Sequence, residues 1–183
     1  VSFSFIFSLT VVGRVSLRER AYPDPASRNA FHERILERMA ARPGVRGVAL
    51  TNWWPLQQPS LRDVLPDRPT GKAASRAAVV RVSPGYFETL GITIRDGRAF
   101  TPDDRTGSSL KAVVSESLAA RLWPHTRALG EHLRVFPPDG DRTGAPVSYE
   151  IVGVAGDARQ AHTDNDLNDV YLALSQQPSL AVF

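Results

Sequence analysis

The sequence has no cysteine and very little lysine. Among its 183 residues there is no cysteine, which excludes a disulfide framework, a thiol nucleophile and a cysteine-ligated zinc site. Lys72 and Lys111 are the lysines among 22 basic residues, and the rest are arginine. The absence of cysteine is compatible with an extracytoplasmic location but does not assign one.

Long hydrophobic runs are also missing. The apolar stretch from Val1 to Val12 is shorter than the ~20 residues that a membrane-spanning helix needs. It lacks the basic start and small-residue cleavage site of a signal peptide. Phe3, Phe5 and Phe7 alternate with serines, which predicts a half-buried strand. Hydrophobic residues still make up 42% of the chain, enough for a core in one domain or two small lobes.

The basic balance raises nucleic-acid binding as a hypothesis. The net charge is +3, and arginine binds phosphate bidentately. Arg34, Arg38 and Arg42 recur at helical spacing, but Glu33 and Glu37 interrupt that surface. Because no aromatic residue is interleaved with a basic run, the pattern favours a solvated helix face over a nucleic-acid partner.

The first half of the chain predicts mixed helices and strands. We expect a strand over about 9–17, a helix from Asp24-Pro25 to Pro43-Gly44, and a second strand over 45–51, which together make a βαβ-like start. Residues 52–75 are rich in Pro, Gln, Arg and Ser and predict an exposed excursion. A third strand is expected over 77–82.

Start and stop signals are dense between Arg81 and Asp104. Ser83 followed by Pro84 predicts a helix N-cap and first residue, and Gly91 predicts a left-handed helix end. Asp96-Gly97 predicts a tight turn. A short helix over 84–90, between two strands, is therefore expected.

The second half repeats this pattern with shorter elements. AVVSESLAARLWP predicts a strand, a cap at Ser115, a short helix and a proline stop, and YEIVGVAGDAR predicts a strand that ends on Gly156. Long turns, including 137–146, separate the elements from about 98 to 170. This change of pattern predicts an inserted lobe.

An acidic stretch partly matches a calcium loop. Asp164, Asp166 and Asn168 occupy the first three ligand positions. The sixth position requires glycine but holds Asp169, and the twelfth requires a carboxylate but holds Ser175. The pattern therefore favours a solvated turn with local side-chain hydrogen bonds, and a weak adventitious cation site stays open.

The remaining candidates for catalysis have simpler structural interpretations. The histidines lack the spacing that places two imidazoles on one helix face, so surface or rim positions are expected for them: His32, His125, His132 and His162. Ser83 and Ser115 each precede a predicted helix and are interpreted as caps rather than nucleophiles.

The stretch around Gly71-Lys72 is not a phosphate loop. Pro66 stands where such a loop needs its first glycine, and Ala73 stands where it needs a hydroxyl, so ATP binding is excluded. Trp123-Pro124 is interpreted as a helix end whose indole packs on the core rather than as a ligand platform.

Two neighbouring carboxylates form the strongest acid and base candidate. Asp103 and Asp104 follow Thr101, however, in the pattern of a helical turn in which Asp104 completes a capping box. A hydrolase would be favoured if Asp103 met His162 and Asp164 in one cleft. We predict no catalytic, cofactor-binding or metal-binding set.

The order of the short segments resembles a known family. The segments are VSPGYFETLGI, GRAFTPDD, AVVSESLAARLWP, LGEHLRV, YEIVGVAGDAR and VYLALSQ, preceded by AYPDPASRNAFHERILERMAARPGVRGVALTNWWPL. They cover all but Val1 to roughly Leu9. The chain resembles the extracytoplasmic core domain of MacB-type, FtsX-like ABC transporter permeases, especially the large orphan permeases of acidobacteria and other soil bacteria.

The resemblance implies an α+β fold with two lobes. It implies a porter-like lobe of mixed sheet and helices beginning with 1–97, an inserted smaller sabre-like lobe over 98–169, and a strand over 170–183 that returns to the porter lobe. SLAVF is expected to begin that returning strand. The closing strand and helix of the family domain are expected to be missing, which would leave a sheet edge or helix-binding face uncovered.

The resemblance implies a mechanical, non-catalytic function. The domain would lie on the periplasmic face of the bacterial inner membrane and couple cytoplasmic ATP-driven motion to export or efflux. Implied partners are the transmembrane helices of the permease, a second permease subunit or repeat, the cytoplasmic ATPase indirectly, and a membrane-fusion protein. In a full family member a membrane helix is expected upstream.

Other classes of function remain as alternatives. A periplasmic module that binds a small ligand or lipid would use an apolar cleft lined by Trp53 and Trp54. A small hydrolase would need clustered carboxylates or histidines. Nucleic-acid binding would be sensitive to salt.

Overall fold

The protein combines helices and strands in the α+β class predicted from the sequence. The computed structural model describes residues 11–53, 60–68, 74–138, 144–158 and 168–183. Its helices are α1 (Pro25–Ala40), α2 (Tyr86–Thr89) and α3 (Glu116–Leu122). Its strands are β1 (Val15–Ser16), β2 (Leu61–Pro66), β3 (Ser75–Val82), β4 (Ile94–Gly97), β5 (Lys111–Ser115), β6 (His132–Val135), β7 (Val147–Ala155), β8 (Asp169–Ala173) and β9 (Ala181–Val182).

Six strands close into a small barrel. The strand order in the large sheet is β4-β7-β5-β8-β3-β2-β6, and β6 also pairs with β7. This last pairing joins the two sides of the sheet, while β4 extends β7 outside the ring. The pairs β3–β8 and β5–β7 are parallel, and the other pairs in the ring are antiparallel.

The barrel interior is filled by every second side chain of its strands. This alternation is the two-residue period of a strand with one face in the core. Helix α3 and the residues after it close the end where β3 and β8 begin. The interior cluster consists of Val64, Ala77, Val79, Ala112, Val114, Leu118, Leu122, Trp123, Ala128, Leu133, Val135, Tyr149, Ile151, Val154, Val170 and Leu172.

A second apolar cluster covers the outer face of the barrel. Helix α2 contributes Tyr86 and Phe87, and the ring of Phe87 packs edge-on against Tyr171 at 5.0 Å between centroids. Phe100 and Trp53 pack in the same cluster. The barrel strands therefore have apolar residues on both faces, as fully covered strands do.

The two ends of the described chain meet in a smaller sheet. β1 pairs antiparallel with β9, with Val15 opposite Val182. Ile35 and Leu36 of α1 pack on this sheet together with Leu50.

The predicted βαβ start is wrong. Residues 45–50 form no strand, and Thr51 makes a single antiparallel bridge to Val82. The backbone N–H groups of Ser83 and Asn52 donate to the carbonyls of Leu50 and Arg81 respectively. Residues 50–52 therefore run antiparallel to the end of β3. Among the described residues, no parallel pair of strands forms on either side of α1, as a βαβ unit would require.

The predicted exposed excursion over 52–75 also contains a strand. β2 pairs with β3 and with β6 and completes the barrel. Its charged residues hide the alternation, because Arg62 shares the interior face with Val64 while Asp63 faces outward. The first strand is shorter than predicted, since β1 begins at Val15; residues 1–10 lie outside the described residues.

Most of the other element predictions are confirmed, with two local corrections. Ser83 does not cap α2: Gly85 is the N-cap, with φ +81°, and the Ser83 hydroxyl accepts from the backbone N–H of Leu50. Gly91 is left-handed as predicted, with φ +68°. Asp96-Gly97 ends β4 rather than forming a hairpin turn.

The predicted lobe boundaries stay predictions. Strands on both sides of residue 98 pair in one sheet, because β4 pairs with β7 and β3 pairs with β8. The two-residue β9 is present within the predicted returning segment 170–183.

We predict that Gly153→Ala destabilises the barrel. Gly153 lies opposite Gly97, and a Cβ at residue 153 would lie 2.2 Å from the carbonyl oxygen of Arg98. Relieving this clash requires the backbone of β4 to move away from β7, so the free energy of unfolding should fall by about 2 kcal/mol or more. Denaturant titration followed by circular dichroism measures this change.

The matched control is Gly13→Ala, where a Cβ would meet nothing within 4 Å. It should change the free energy of unfolding by less than about 0.5 kcal/mol. Equal effects of the two substitutions would contradict the close approach of β4 to β7 at Gly153.

Candidate functional site

The two serines considered as nucleophiles have structural contacts. Ser115 caps α3 as predicted: its hydroxyl accepts from the backbone N–H of Leu118 at 3.4 Å and of Asp169 at 3.0 Å. Ser83 accepts from Leu50 at 2.9 Å. Each hydroxyl therefore holds two segments of backbone together.

The described residues of the acidic stretch make hydrogen bonds within the protein. The Asn168 side chain donates to the carbonyl of Arg76 at 3.3 Å, and Asp169 is fully buried and accepts from the hydroxyl of Tyr171 at 3.3 Å. Asp164 and Asp166 lie outside the described residues. Within the described ranges, no group of three or more His, Asp and Glu side chains could hold a metal ion.

The histidines differ from the expected surface placement at one position. His32 on α1 is buried, at 4% exposure, whereas His125 and His132 are exposed and His162 lies outside the described residues. Burial lowers the pKa of His32, because it disfavours the charged imidazole, and the backbone of Ser179 partly offsets this effect. The apolar stripe of α1 gave no signal that a histidine would face the protein.

Asp103 and Asp104 do not form an acid and base pair. Asp104 is buried, and its carboxylate accepts hydrogen bonds from Nη1 and Nη2 of Arg98, at 2.6 and 2.9 Å, and from the backbone N–H of Thr101 at 2.8 Å. The reach back to Thr101 is the predicted capping contact, but a turn rather than a helix follows. Burial opposes ionisation, yet these hydrogen bonds outweigh it and lower the pKa of Asp104. Asp103 is exposed.

Polar contacts connect α1 to the barrel. We call Asn29, Asp104, Thr106 and Ser175 the polar junction. The Asn29 amide donates to the carbonyl of Ser175 at 2.7 Å, and Thr106 donates to the same carbonyl at 3.0 Å. The Ser175 hydroxyl donates to the carbonyl of Asp104. Three segments that are far apart in sequence thus meet: α1, the loop before β5 and the turn after β8.

Backbone hydrogen bonds connect the chain ends to the same barrel. Next to the β1–β9 pair, Thr51 and Phe183 exchange backbone hydrogen bonds at 3.1 and 2.8 Å. Thr51 in turn bridges to Val82 at the end of β3. We call this series β1, β9, Thr51 and β3 the terminal ladder. It is a continuous path of backbone hydrogen bonds from the chain ends into the barrel.

A surface cleft lies between the residues that follow α2 and those that follow β7. It has a volume of about 430 Å³ and is lined by Leu90, Gly91, Ile92, Thr93, Arg95, Gly156, Asp157 and Ala158. Its charged groups have partners, because Asp157 accepts from the backbone N–H and hydroxyl of Ser117 and Arg95 lies 3.7 Å from Glu116. Trp53 does not line it but is buried on the outer face of the barrel, and Trp54 lies outside the described residues.

Trp123 packs its ring in the barrel core, as predicted, at 4% exposure. No described helix has the length and hydrophobicity required to cross a membrane.

Comparison with known proteins identifies the family. The chain belongs to the MacB-like periplasmic core domain family, which it matches over residues 1–182. A comparison with curated protein sequences gives no match. The family is that of periplasmic domains of ABC transporter permeases, which confirms the resemblance found in the sequence.

Solved structures share the fold. The periplasmic region of MacB from Actinobacillus actinomycetemcomitans matches with a TM-score of 0.53 and 17% identity, over 77% of this chain and 54% of that one. A domain of a putative permease protein from Porphyromonas gingivalis matches with a TM-score of 0.51 and 19% identity, over 79% of this chain and 58% of that one. The chain therefore spans little more than half the length of these relatives.

We predict that Asp104→Asn weakens the fold. The substitution removes the negative charge of the carboxylate that accepts two hydrogen bonds from the Arg98 guanidinium, so the free energy of unfolding at neutral pH should fall by about 1–3 kcal/mol. Asp103→Asn, on the exposed neighbour, should have little effect.

The pH dependence gives a second test of the same contact. Because the folded-state pKa of Asp104 lies below its unfolded value, its contribution is fully present above the unfolded pKa and is lost as the pH falls through the folded pKa. The stability difference between wild type and Asp104→Asn should therefore shrink in acid. A difference that is constant down to pH 2 would contradict this role.

We predict that a disulfide forms in Ser16→Cys/Ala181→Cys. The residues are direct partners across β1 and β9, and the neighbouring Leu17 donates its N–H to Leu180, which makes 16 and 181 a non-hydrogen-bonded pair with close side chains. Since the chain has no other cysteine, the oxidised variant should be more stable by about 2–4 kcal/mol.

Thermal or denaturant unfolding with and without reductant measures this difference. Ser16→Cys alone should show no dependence on reductant. Failure of the double variant to oxidise would contradict the register of β1 and β9.

Proposed function

We propose that this domain transmits ATP-driven motion in an ABC transporter permease, without itself carrying out chemistry. Membership of the MacB-like periplasmic core domain family places it in a permease; the mechanical role is our proposal. The domain would lie on the periplasmic face of the bacterial inner membrane and support export or efflux. Its partners would be the transmembrane helices of the permease, a second permease subunit, the cytoplasmic ATPase indirectly and a membrane-fusion protein.

The terminal ladder is the observation that carries this proposal. Because β1 and β9 are antiparallel, the chain before Val15 and the chain after Val182 leave the domain in the same direction. Force applied by flanking segments would therefore enter at one place. The backbone bonds from β9 through Thr51 to β3 would then pass it into the barrel.

The closed barrel would supply the rigidity that transmission requires. A coupled element can pass on only a difference between discrete states, so an element that deforms internally would dissipate the movement. The closed ring of strands and two apolar clusters resist such deformation. The polar junction adds a second attachment of α1 to the barrel, which favours movement of the two as one body.

Spin-label distances in the intact permease test this proposal. A label at exposed Arg34→Cys on α1 reports the distance between two copies of the domain. Labels at Arg34→Cys and exposed His132→Cys on β6 report the distance within one copy. Binding of a non-hydrolysable ATP analogue should shift the first distance and leave the second unchanged.

Dilution of doubly labelled copies with unlabelled ones isolates the distance within one copy. The proposal is overturned if that internal distance changes as much as the distance between copies. It is equally overturned if neither distance responds to the nucleotide analogue.

A further inference from the structure

Two arginines point into one end of the barrel. This barrel mouth lies opposite α3, where β3 and β8 end and β5 and β7 begin. Arg62 is two residues from Val64, and Arg81 is two residues from Val79; both valines belong to the interior cluster. By the alternation of strand residues, both arginines therefore lie on the interior face. Tyr149, 4% exposed, lies in the same interior.

The contacts at the barrel mouth connect neutral side chains to Arg81. Arg81 donates from Nε and Nη2 to Oε1 of Gln177, at 3.3 and 3.2 Å. The Gln177 amide donates in turn to the hydroxyl oxygen of Tyr149 at 2.8 Å. The Nε of Arg62 is buried and has no hydrogen-bond partner. Asp63, the acidic residue next in sequence, faces outward by the same alternation.

Counting donors and acceptors leaves an excess of donors. The amide oxygen of Gln177 is already used by Arg81, and its nitrogen is used by Tyr149. Tyr149 accepts that bond and keeps its own O–H for donation. Arg62 has a buried N–H with no acceptor, and Arg81 retains N–H groups beyond those bound to Gln177. Among the described residues, no carboxylate bonds to either guanidinium.

The barrel mouth also has an excess of positive charge. Burial lowers the pKa of Arg81, and the charge of Arg62 lowers it further, while Tyr149 has the opposite effect. Burial raises the pKa of Tyr149, which keeps its hydroxyl proton in place near neutral pH. Two half-buried like charges without an anion are costly, because neither water nor a counter-ion fully compensates them. An anion at this position would supply both the missing charge and the missing acceptors.

We propose that Arg62, Arg81 and Tyr149 form a binding site for a small oxyanion of the phosphate class. Guanidinium groups match the oxygen spacing of phosphate with paired N–H donors, and the hydroxyl of Tyr149 adds a third donor. The position inside the barrel mouth favours a free anion over the headgroup of a lipid in a bilayer. This site is independent of the mechanical role proposed above.

Calorimetric titration of the 183-residue chain with inorganic phosphate tests the site, with total ionic strength held constant by chloride. Wild type should bind one phosphate per chain. Arg62→Gln should weaken the binding about tenfold or more, and Tyr149→Phe should weaken it by a smaller factor. Arg34→Gln removes the same charge from an exposed position on α1 and should bind as wild type does.

The melting temperature without phosphate gives a second measurement, which does not require the variant to bind a ligand. Without phosphate, Arg62→Gln should melt at or above the wild-type temperature, because it removes a like-charge contact. Phosphate should raise the wild-type melting temperature and leave that of Arg62→Gln nearly unchanged. The proposal is overturned if wild type fails to bind phosphate, or if Arg62→Gln and Arg34→Gln respond to phosphate equally.

Vesicles containing anionic phospholipid distinguish the two sources of a phosphate group. Binding of free phosphate by wild type, with vesicle binding that is absent or unaffected by Arg62→Gln, supports a site for a small free anion. Vesicle binding that requires Arg62, without binding of free phosphate, overturns it.

Discussion

The pairing of β6 with β7 is the constraint on which the rest of the structure depends. β7 has nine residues, long enough for one edge to follow β5 while the other edge pairs first with β6 and then with β4. This single strand closes the ring and also attaches the strand outside it. Closure removes unpaired edges and creates one interior that must be filled by alternate residues. The close contact of Gly97 with Gly153 follows from the same demand, because β4 has to approach β7 where the barrel curves.

Helix α1 is held by a different kind of interaction. His32 is its fully buried residue, and Ile35 and Leu36 are only partly buried, so apolar burial contributes little to its attachment. The polar junction and the terminal ladder compensate with directional bonds. Such bonds fix orientation more than they add stability, since the net contribution of each is about 1 kcal/mol. The proposed transmission of movement would require a defined orientation between α1 and the barrel, and these directional bonds would supply it.

The sequence predicts correctly the elements that depend on neighbouring residues, such as helix caps. It fails for strands whose formation depends on pairing with distant strands. Pro25 begins α1 and Ser115 caps α3 as their chemistry predicts, and Gly91 takes the left-handed conformation. β2 was missed because its interior face carries Arg62 beside Val64, a pattern that no hydrophobic periodicity reveals. The segment before Thr51 resembles a strand in sequence but has only one position beside β3 at which to pair. Tertiary pairing therefore produced a strand at β2, where the local pattern predicted none, and prevented one before Thr51, where the local pattern predicted it.

The dependence on tertiary pairing also explains why the proposed anion site at the barrel mouth could not be predicted from the sequence. Asp104 is a buried charge with a structural role, and its carboxylate is paired with the Arg98 guanidinium and hydrogen-bonded by the backbone of Thr101. The Arg81 guanidinium bonds only to the neutral Gln177, and neither Arg81 nor Arg62 bonds to a carboxylate of the described residues, although an apolar pair in their place would fill the barrel mouth at lower cost. Since a charge that only stabilises the fold is expected to be paired within it, two arginines without a carboxylate partner among the described residues support the proposed anion site. Their positions, far apart in the sequence, meet only because the barrel closes.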